Sequence, residues 1–184
     1  MNVLQLIKSD YRRYKNYGGN FFGIVFFTQG FWAVFQYRIA HYIFSKIKWQ
    51  PFRFLFTFIG LVTQKTIEII TGISIPASAK IGHSFYIGHF GGIIINAKAV
   101  IGNNCNISQG VTIGVSGREG KRGVPIIGNE VYIGANAVIS GNIIIGNQVA
   151  IGACSLVISS VGENSVVLGV PAVVMSKNGS KGYI

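Results

Sequence analysis

The chain has 184 residues, of which 49% are hydrophobic and only 11% are charged, against roughly 25% charged residues in a typical soluble domain. This composition excludes a disordered chain, which combines low hydrophobicity with high charge. Two cysteines are too few for a disulfide scaffold. Sixteen Lys and Arg residues against five Asp and Glu residues give a net charge of +11. Such a balance favours an anionic partner: a membrane surface, a phosphorylated cofactor or an acidic polymer.

The first 70 residues differ from the rest in charge and in aromatic content. They hold most of the phenylalanines, and their nine Lys or Arg residues and two Asp or Glu residues give a net charge of +7. Residues 16–37 are uncharged and, at about 20 residues, could span a bilayer, but Gly, Asn and Gln dilute the run. We therefore predict a helical region over residues 1–70. Its aromatic and basic side chains either contact a membrane surface or pack in a core or a subunit interface.

A six-residue repeat occupies residues 71–170. An α-helix would scatter such a pattern around its axis, because six residues make about 1.7 turns. Short strands that each point one aliphatic side chain inward, joined by corners where glycine supplies the φ values, form a parallel β-helix instead. The repeat predicts about five coils of roughly 18 residues. Its members are Ile75, Ile81, Ile87, Ile93, Ile101, Ile107, Ile113, Ile127, Ile133, Ile139, Ile145, Ile151 and Val157.

The repeat is interrupted twice. The step from Ile93 to Ile101 is eight residues, and the step from Ile113 to Ile127 is fourteen. The second interruption contains the Gly-rich, basic segment 115–125, which we expect to project as a loop. Interruptions in a regular solenoid are where functional residues concentrate.

Five segments resemble the left-handed β-helix acyltransferases of the hexapeptide-repeat superfamily. Within it, the chain resembles the serine acetyltransferase-like branch and is most similar to bacterial saccharide O-acetyltransferases. The segments are YRIAHY (37–42), IPASAKIG (75–82), GHFGG (88–92), NISQGVTIG (106–114) and GVPA (169–172). The resemblance implies a mainly β fold: a left-handed parallel β-helix domain over residues 71–184, after the α-helical N-terminal region.

The resemblance implies transfer of an acetyl group from acetyl-CoA to a hydroxyl group, without a metal. His89 falls on the family's catalytic histidine, and a neutral imidazole can accept the proton of the attacking hydroxyl. The residues themselves also favour His89, which lies between Gly88 and Gly91 near an interruption of the repeat, whereas His41 and His83 suit structural roles.

The resemblance also implies the positions that bind the rest of the reactants. The backbone N–H of Gly114 would stabilise the oxyanion of the tetrahedral intermediate. CoA would lie in a groove between coils. Its expected contacts are Gly114, Ser116, Ala135, Ala153 and Lys177.

The acceptor is predicted from departures from the family pattern. Ser74 stands where the family has the Asp that orients the catalytic histidine, so Ser74 is a candidate partner of His89. Gly88 replaces a second Asp, and Gly123 and Val124 replace an Arg-His pair that helps hold serine. These departures favour a sugar hydroxyl of a cell-surface saccharide or of its lipid-linked precursor. Three basic loop residues could contact that acceptor: Arg118, Lys121 and Arg122.

Two alternative functions stay open, one from the same class of enzyme and one from another class of protein, and two others are rejected. Serine O-acetyltransferase and a non-catalytic β-helix scaffold remain open. A β-helix carbonic anhydrase is rejected because it needs three convergent histidines on a metal. A nucleic-acid partner is rejected because the aromatic residues do not interleave with basic ones. We expect a homotrimer that is either free in the cytoplasm or peripherally bound at the inner face of the membrane.

Overall fold

The computed structural model describes residues 1–46, 52–118 and 122–184, apart from the side chain of Arg53. The described N-terminal region is helical. It contains α1 (Val3–Asn16), a short π-helix (Gly23–Phe27), α2 (Gln29–Lys46) and α3 (Phe52–Thr71). Helix α1 starts at a capping box in which the side chains of Asn2 and Gln5 each accept from the other's backbone N–H, satisfying donors that a helix leaves unpaired.

The rest of the described chain is a left-handed β-helix of short strands, confirming the predicted fold class. The first sheet contains β1 (Ile73–Ser74), β4 (Ile93–Ile95), β7 (Thr112–Gly114), β10 (Val138–Ser140) and β13 (Leu156–Val157). The second contains β2 (Lys80–Ile81), β5 (Val100–Ile101), β8 (Ile126–Ile127) and β11 (Ile144–Ile145). The third contains β3 (Tyr86–Ile87), β6 (Asn106–Ile107), β9 (Tyr132–Ile133), β12 (Ala150–Ile151), β14 (Val166–Gly169) and β15 (Ala172–Ser176). Among these named strands, all pairings are parallel except that of β14 with β15.

The repeat isoleucines stack inside the prism and are almost fully buried. In the third sheet Ile133 pairs with Ile151, a regular coil of 18 residues, whereas Ile107 pairs with Ile133, a coil that is eight residues longer because of the loop. Each stacked side chain is removed from water by its neighbours above and below, which makes the column the main source of stability of this domain.

The first interruption of the repeat lies elsewhere than predicted. Strand β4 turns both Ile93 and Ile95 inward, and Ile95 is six residues before Ile101. The long step is therefore the one from Ile87 to Ile95. It places two additional residues in the corner that carries His89.

The role predicted for the repeat glycines is wrong. At Gly134, as at other glycines that follow the repeat isoleucines, φ is not positive. The left-handed corner residues are mostly non-glycine, such as Asn104 and Asn164. A Cβ on Gly134 would instead come within 2.6 Å of the backbone N of Ala153 in the next coil. Gly134 is needed because consecutive coils approach closely, and the same holds for Gly102, Gly128 and Gly146.

Helices α1 and α2 cover the N-terminal end of the prism. The Arg38 guanidinium, buried with the Asp10 carboxylate, donates to both oxygens of Asp10 at 2.8 and 3.1 Å and to the carbonyl of Ile81 at 2.7 Å. The Tyr37 hydroxyl donates to the carbonyl of Ala79 at 2.8 Å and accepts from the Ile81 N–H. These bonds pair backbone groups of the first coil that no strand in the described part of the chain covers.

Helix α3 packs against α2 and β1. By length and composition, its Phe54–Thr71 stretch is the one helical stretch among the described residues that could cross a membrane, and 6% of it is buried. The uncharged run 16–37 does not form a single helix, since the π-helix ends at Phe27 and α2 begins at Gln29.

Candidate active site

His89 projects from the corner that joins the third sheet to the first. Its imidazole is exposed and makes no hydrogen bond within the described residues. In the later coils, the corners between the third and first sheets are regular. There Asn136 N donates to Gln109 O and Cys154 N donates to Ala135 O. Each accepting residue lies two residues after a stacked isoleucine. At the corner of His89 the acceptor is Gly91, so His89 and Phe90 are the two additional residues and bulge outward.

Backbone contacts hold this bulge in place. Gly91 donates its N–H to the carbonyl of Thr71 at 2.9 Å, and its own carbonyl accepts from Gly110 at 3.0 Å. Gly91 has a φ of 93°, a conformation that side chains other than glycine rarely adopt. A Cβ on neighbouring Gly72 would meet the Cα of Gly91 at 3.0 Å. The bulge is therefore a tightly stacked corner that presents the imidazole of His89 to solvent.

The other two histidines are engaged. His41 donates from Nδ1 to the carbonyl of Ala77 at 2.8 Å, because a carbonyl can only accept. His83 lies 3.1 Å from the Ser84 hydroxyl. Both contacts fit the structural roles expected from the sequence, and His89 is the histidine whose ring makes no hydrogen bond within the described residues.

Ser74 does not hydrogen-bond to His89. Its hydroxyl donates to Glu68 Oε1 at 2.7 Å, across the junction between α3 and β1. Glu68 also accepts from Gln64 Nε2 at 2.9 Å and from Lys65 Nζ. A partnership between Ser74 and His89 stays a prediction. Glu68 itself was missed in the sequence, where a carboxylate six residues from a serine gives no signal.

Gly114 ends β7 at the corner where the loop begins. A Cβ there would meet only Thr112 Cγ2, at 3.6 Å, and φ is not positive. Packing therefore does not require glycine at this position, whereas close approach of a ligand to the backbone would. Ser116 and Gly123 close the neck of the loop with hydrogen bonds of 3.2 and 3.0 Å.

Of the loop residues predicted to contact the acceptor substrate, Arg118 and Arg122 are exposed. Lys121 lies outside the described residues. The two arginines have no ion pair within the described residues.

Two predicted CoA contacts share the corner of His89. Ala135 and Ala153 occupy the same position in consecutive coils, since Ile133 pairs with Ile151 and Cys154 N bonds to Ala135 O at 2.8 Å. Gly114 and Ser116 lie at the opposite edge of the first sheet. Within one subunit, these predicted CoA contacts therefore lie at two different edges of the first sheet.

Lys177 lies at a third edge. Its ammonium donates to Ser165 Oγ at 3.0 Å, and the tail that follows runs along the corner between the second and third sheets, where Ser180 N bonds to Gln148 O at 3.0 Å. The structure does not bring Lys177 to Ala135 or Ala153. Among the residues described, no group of His, Cys, Asp and Glu side chains could hold a metal ion.

Known proteins resemble this chain over most of its length. No protein-family model matches it. The serine acetyltransferase of Bacillus subtilis is 35% identical over 162 residues, which cover 88% of this chain and 71% of that protein. The serine acetyltransferase of Bacillus licheniformis is 34% identical over 158 residues, covering 86% and 69%. The chain belongs to the serine acetyltransferase family.

Solved structures of the family agree with this assignment. A serine acetyltransferase in complex with cysteine superimposes with a TM-score of 0.82 at 32% identity, covering 95% of this chain and 70% of that one. A serine acetyltransferase in complex with CoA gives a TM-score of 0.80 at 30% identity, covering 94% and 69%. The predicted activity class is confirmed: the protein is an O-acetyltransferase that uses acetyl-CoA.

The predicted saccharide acceptor and its role in polysaccharide biosynthesis are wrong. The relatives and structural neighbours that match most of the chain are serine acetyltransferases. The prediction rested on side chains absent at a few positions, such as Ser74 and Gly88, and an absent side chain does not identify the acceptor that replaces the usual one.

Proposed function

We propose that this protein transfers the acetyl group of acetyl-CoA to the hydroxyl of serine, with His89 as general base. The observation that carries the proposal is the exposed imidazole of His89, which makes no hydrogen bond within the described residues, on a fold shared with serine acetyltransferases over 95% of the chain. Binding of both reactants next to this ring would place the hydroxyl proton within its reach.

The reaction needs one proton acceptor and one oxyanion donor. The imidazole of His89 takes the hydroxyl proton as the oxygen attacks the thioester carbonyl carbon. The carbonyl oxygen becomes an oxyanion, for which the backbone N–H of Gly114 is a fixed donor. The intermediate then collapses, the carbon–sulfur bond breaks, and the imidazolium returns its proton to the departing CoA thiolate. The products are O-acetylserine and CoA.

The division of the CoA contacts supports a homotrimer as part of this proposal. Gly114 and Ser116 are separated from Ala135 and Ala153 by the width of the first sheet, roughly 10 Å for three strand residues. Subunits packed side by side would bring one edge of a prism next to the opposite edge of its neighbour. In a closed ring of three subunits, the same contact forms three times and three sites are completed. The mass of the protein in solution tests the proposed trimer.

Serine turnover tests the acceptor. We expect the intact protein to release CoA from acetyl-CoA much faster with L-serine than with L-alanine, which has no hydroxyl but otherwise matches serine. The release of CoA is followed with a thiol reagent, and O-acetylserine is identified by mass spectrometry. Equal rates with the two amino acids would overturn serine as the acceptor.

We also propose that the cytoplasmic enzyme contacts the inner face of the membrane through its helical region. Phe27 and Phe54 are 77% and 74% exposed. The helices border an open apolar pocket of about 690 Å³, lined in part by Trp32 and Ile59. Large exposed apolar surfaces mark contact sites, and the +7 charge of residues 1–70 favours anionic lipid headgroups.

Vesicle flotation tests the membrane contact. The protein should float with phosphatidylglycerol vesicles and much less with phosphatidylcholine vesicles. Phe22→Ser combined with Phe27→Ser should abolish flotation, because both rings are exposed. Ile144→Ser, at an exposed position of the prism, is the matched control. Flotation that the double substitution leaves unchanged would contradict this contact.

A further inference from the structure

The carboxylate of Glu68 lies beside the corner that carries His89. Glu68 is in the last turn of α3, and its side chain is 14% exposed. The Ser74 hydroxyl donates to Glu68 Oε1 at 2.7 Å, Gln64 Nε2 donates to the same oxygen at 2.9 Å, and the Lys65 ammonium pairs with the other oxygen. Three donors on two elements therefore fix one carboxylate at the start of the β-helix.

The backbone brings this carboxylate and the corner of His89 together. Gly91 N donates to the carbonyl of Thr71 at 2.9 Å, and Ile93 N donates to that of Gly72 at 3.1 Å. Residues 71–74, which follow Glu68 after two residues, thus lie directly against residues 91–94, which follow His89 after one residue. Ile73 and Ile75 point into the core, so Ser74 points out of the prism, because side chains alternate along a strand.

The other described acidic residues are placed elsewhere. Asp10 is buried with Arg38 at the end of the prism. Glu130 accepts from Gln148 on the corner between the second and third sheets, and Glu163 is exposed on a lower coil. Among the acids that the structure describes, Glu68 is the carboxylate next to the His89 corner.

We infer that Glu68 is a positioning residue for the proposed reaction, acting on the His89 imidazole through the Ser74 hydroxyl. The inference rests on the proposed role of His89. The Ser74 hydroxyl uses its hydrogen for Glu68 and keeps lone pairs that can accept an imidazole N–H. Hydrogen bonds in such a chain polarise one another. The hydrogen-bonded pair of Glu68 and Ser74 would orient the imidazole ring of His89. The Glu68 carboxylate would stabilise the imidazolium without taking its proton.

The state of Glu68 suits this role. Partial burial raises the pKa of Glu68, but the hydrogen bonds from Lys65, Gln64 and Ser74 outweigh it and hold that pKa below its ordinary value. The group is therefore ionised at neutral pH, and the negative charge that the imidazolium needs is present throughout the reaction.

The test is removal of the charge at Glu68 and its restoration at Ser74. Glu68→Gln keeps the shape and the ability to accept from Ser74, and we expect it to lower kcat by about 10–100-fold, with the KM for acetyl-CoA and the melting temperature unchanged. Adding Ser74→Asp to this variant places a carboxylate one step nearer the imidazole and should restore most of kcat. Glu163→Gln, which removes an exposed carboxylate at another corner, is the matched control.

The outcomes separate this inference from the proposed function. If the unmodified enzyme acetylates serine and Glu68→Gln keeps full kcat, the inference is overturned and the proposed function stands. A loss of kcat that Ser74→Asp does not restore, or that a lower melting temperature accompanies, identifies a structural role and also overturns it. If the unmodified enzyme does not acetylate serine, the proposed function fails, and the same variants are compared by His89-dependent hydrolysis of acetyl-CoA.

Discussion

Replacing His89 by alanine is expected to lower the rate of acetyl transfer by about 10²–10⁴-fold, the contribution of a positioned general base. The free energy of unfolding should not change, because the ring is exposed and makes no hydrogen bond within the described residues. Steady-state kinetics with acetyl-CoA and serine measure the rate, and urea denaturation measures the stability.

His83→Gln is the matched control for this substitution. His83 lies one hexapeptide earlier, and its Nδ1 lies 3.1 Å from Ser84 Oγ. The His83→Gln variant should keep the rate of acetyl transfer within a few-fold of that of the unmodified enzyme. A His89→Ala variant that retains nearly full turnover would remove His89 from the mechanism and leave the bulge as a structural feature.

Asp10→Asn is expected to reduce the free energy of unfolding by about 3–5 kcal/mol, the usual result of removing one partner of a buried ion pair. The side chains of Asp10 and Arg38 are each 1% exposed. The substitution leaves the guanidinium buried without a counter-charge, and the carbonyls of Ile81 and Gly82 compensate only part of it. Urea denaturation of the intact chain measures the loss.

Two further variants check this explanation. Lys65→Met breaks the ion pair with Glu68. Because the Lys65 side chain is 74% exposed, this change should lower the free energy of unfolding by less than about 1 kcal/mol. Asp10→Asn together with Arg38→Met removes both charges and should be more stable than Asp10→Asn alone. If the double variant is no more stable, the cost does not arise from the unpaired guanidinium.

The architecture of the prism could be predicted because one aliphatic residue per hexapeptide is enough to define a buried column. Ile127, Ile133 and Ile139 are each buried where the period places them. The position of the first interruption could not be predicted. Ile93, Ile94 and Ile95 are consecutive isoleucines, so the pattern itself does not reveal which of them face inward.

The surroundings of the site were less accessible to sequence reasoning. Asp10 and Arg38 meet across 28 residues on two different helices, and no short-range pattern links them. Glu68 reaches Ser74 only because α3 ends directly before β1. The role of the repeat glycines was also ambiguous, since a missing Cβ permits both unusual φ values and close approach of the backbone.

The coverage of the two ends of the prism has a consequence for the behaviour of the protein in concentrated solution. A parallel β-helix with bare termini could add coil upon coil from other molecules and polymerise into a filament. Here the side chains of Tyr37 and Arg38 hydrogen-bond to backbone carbonyls at the edge of the first coil. At the other terminus, the antiparallel pairing of β14 with β15 reverses the direction of the chain. Both features oppose end-to-end growth and leave the flanks of the prism as its surfaces for self-association.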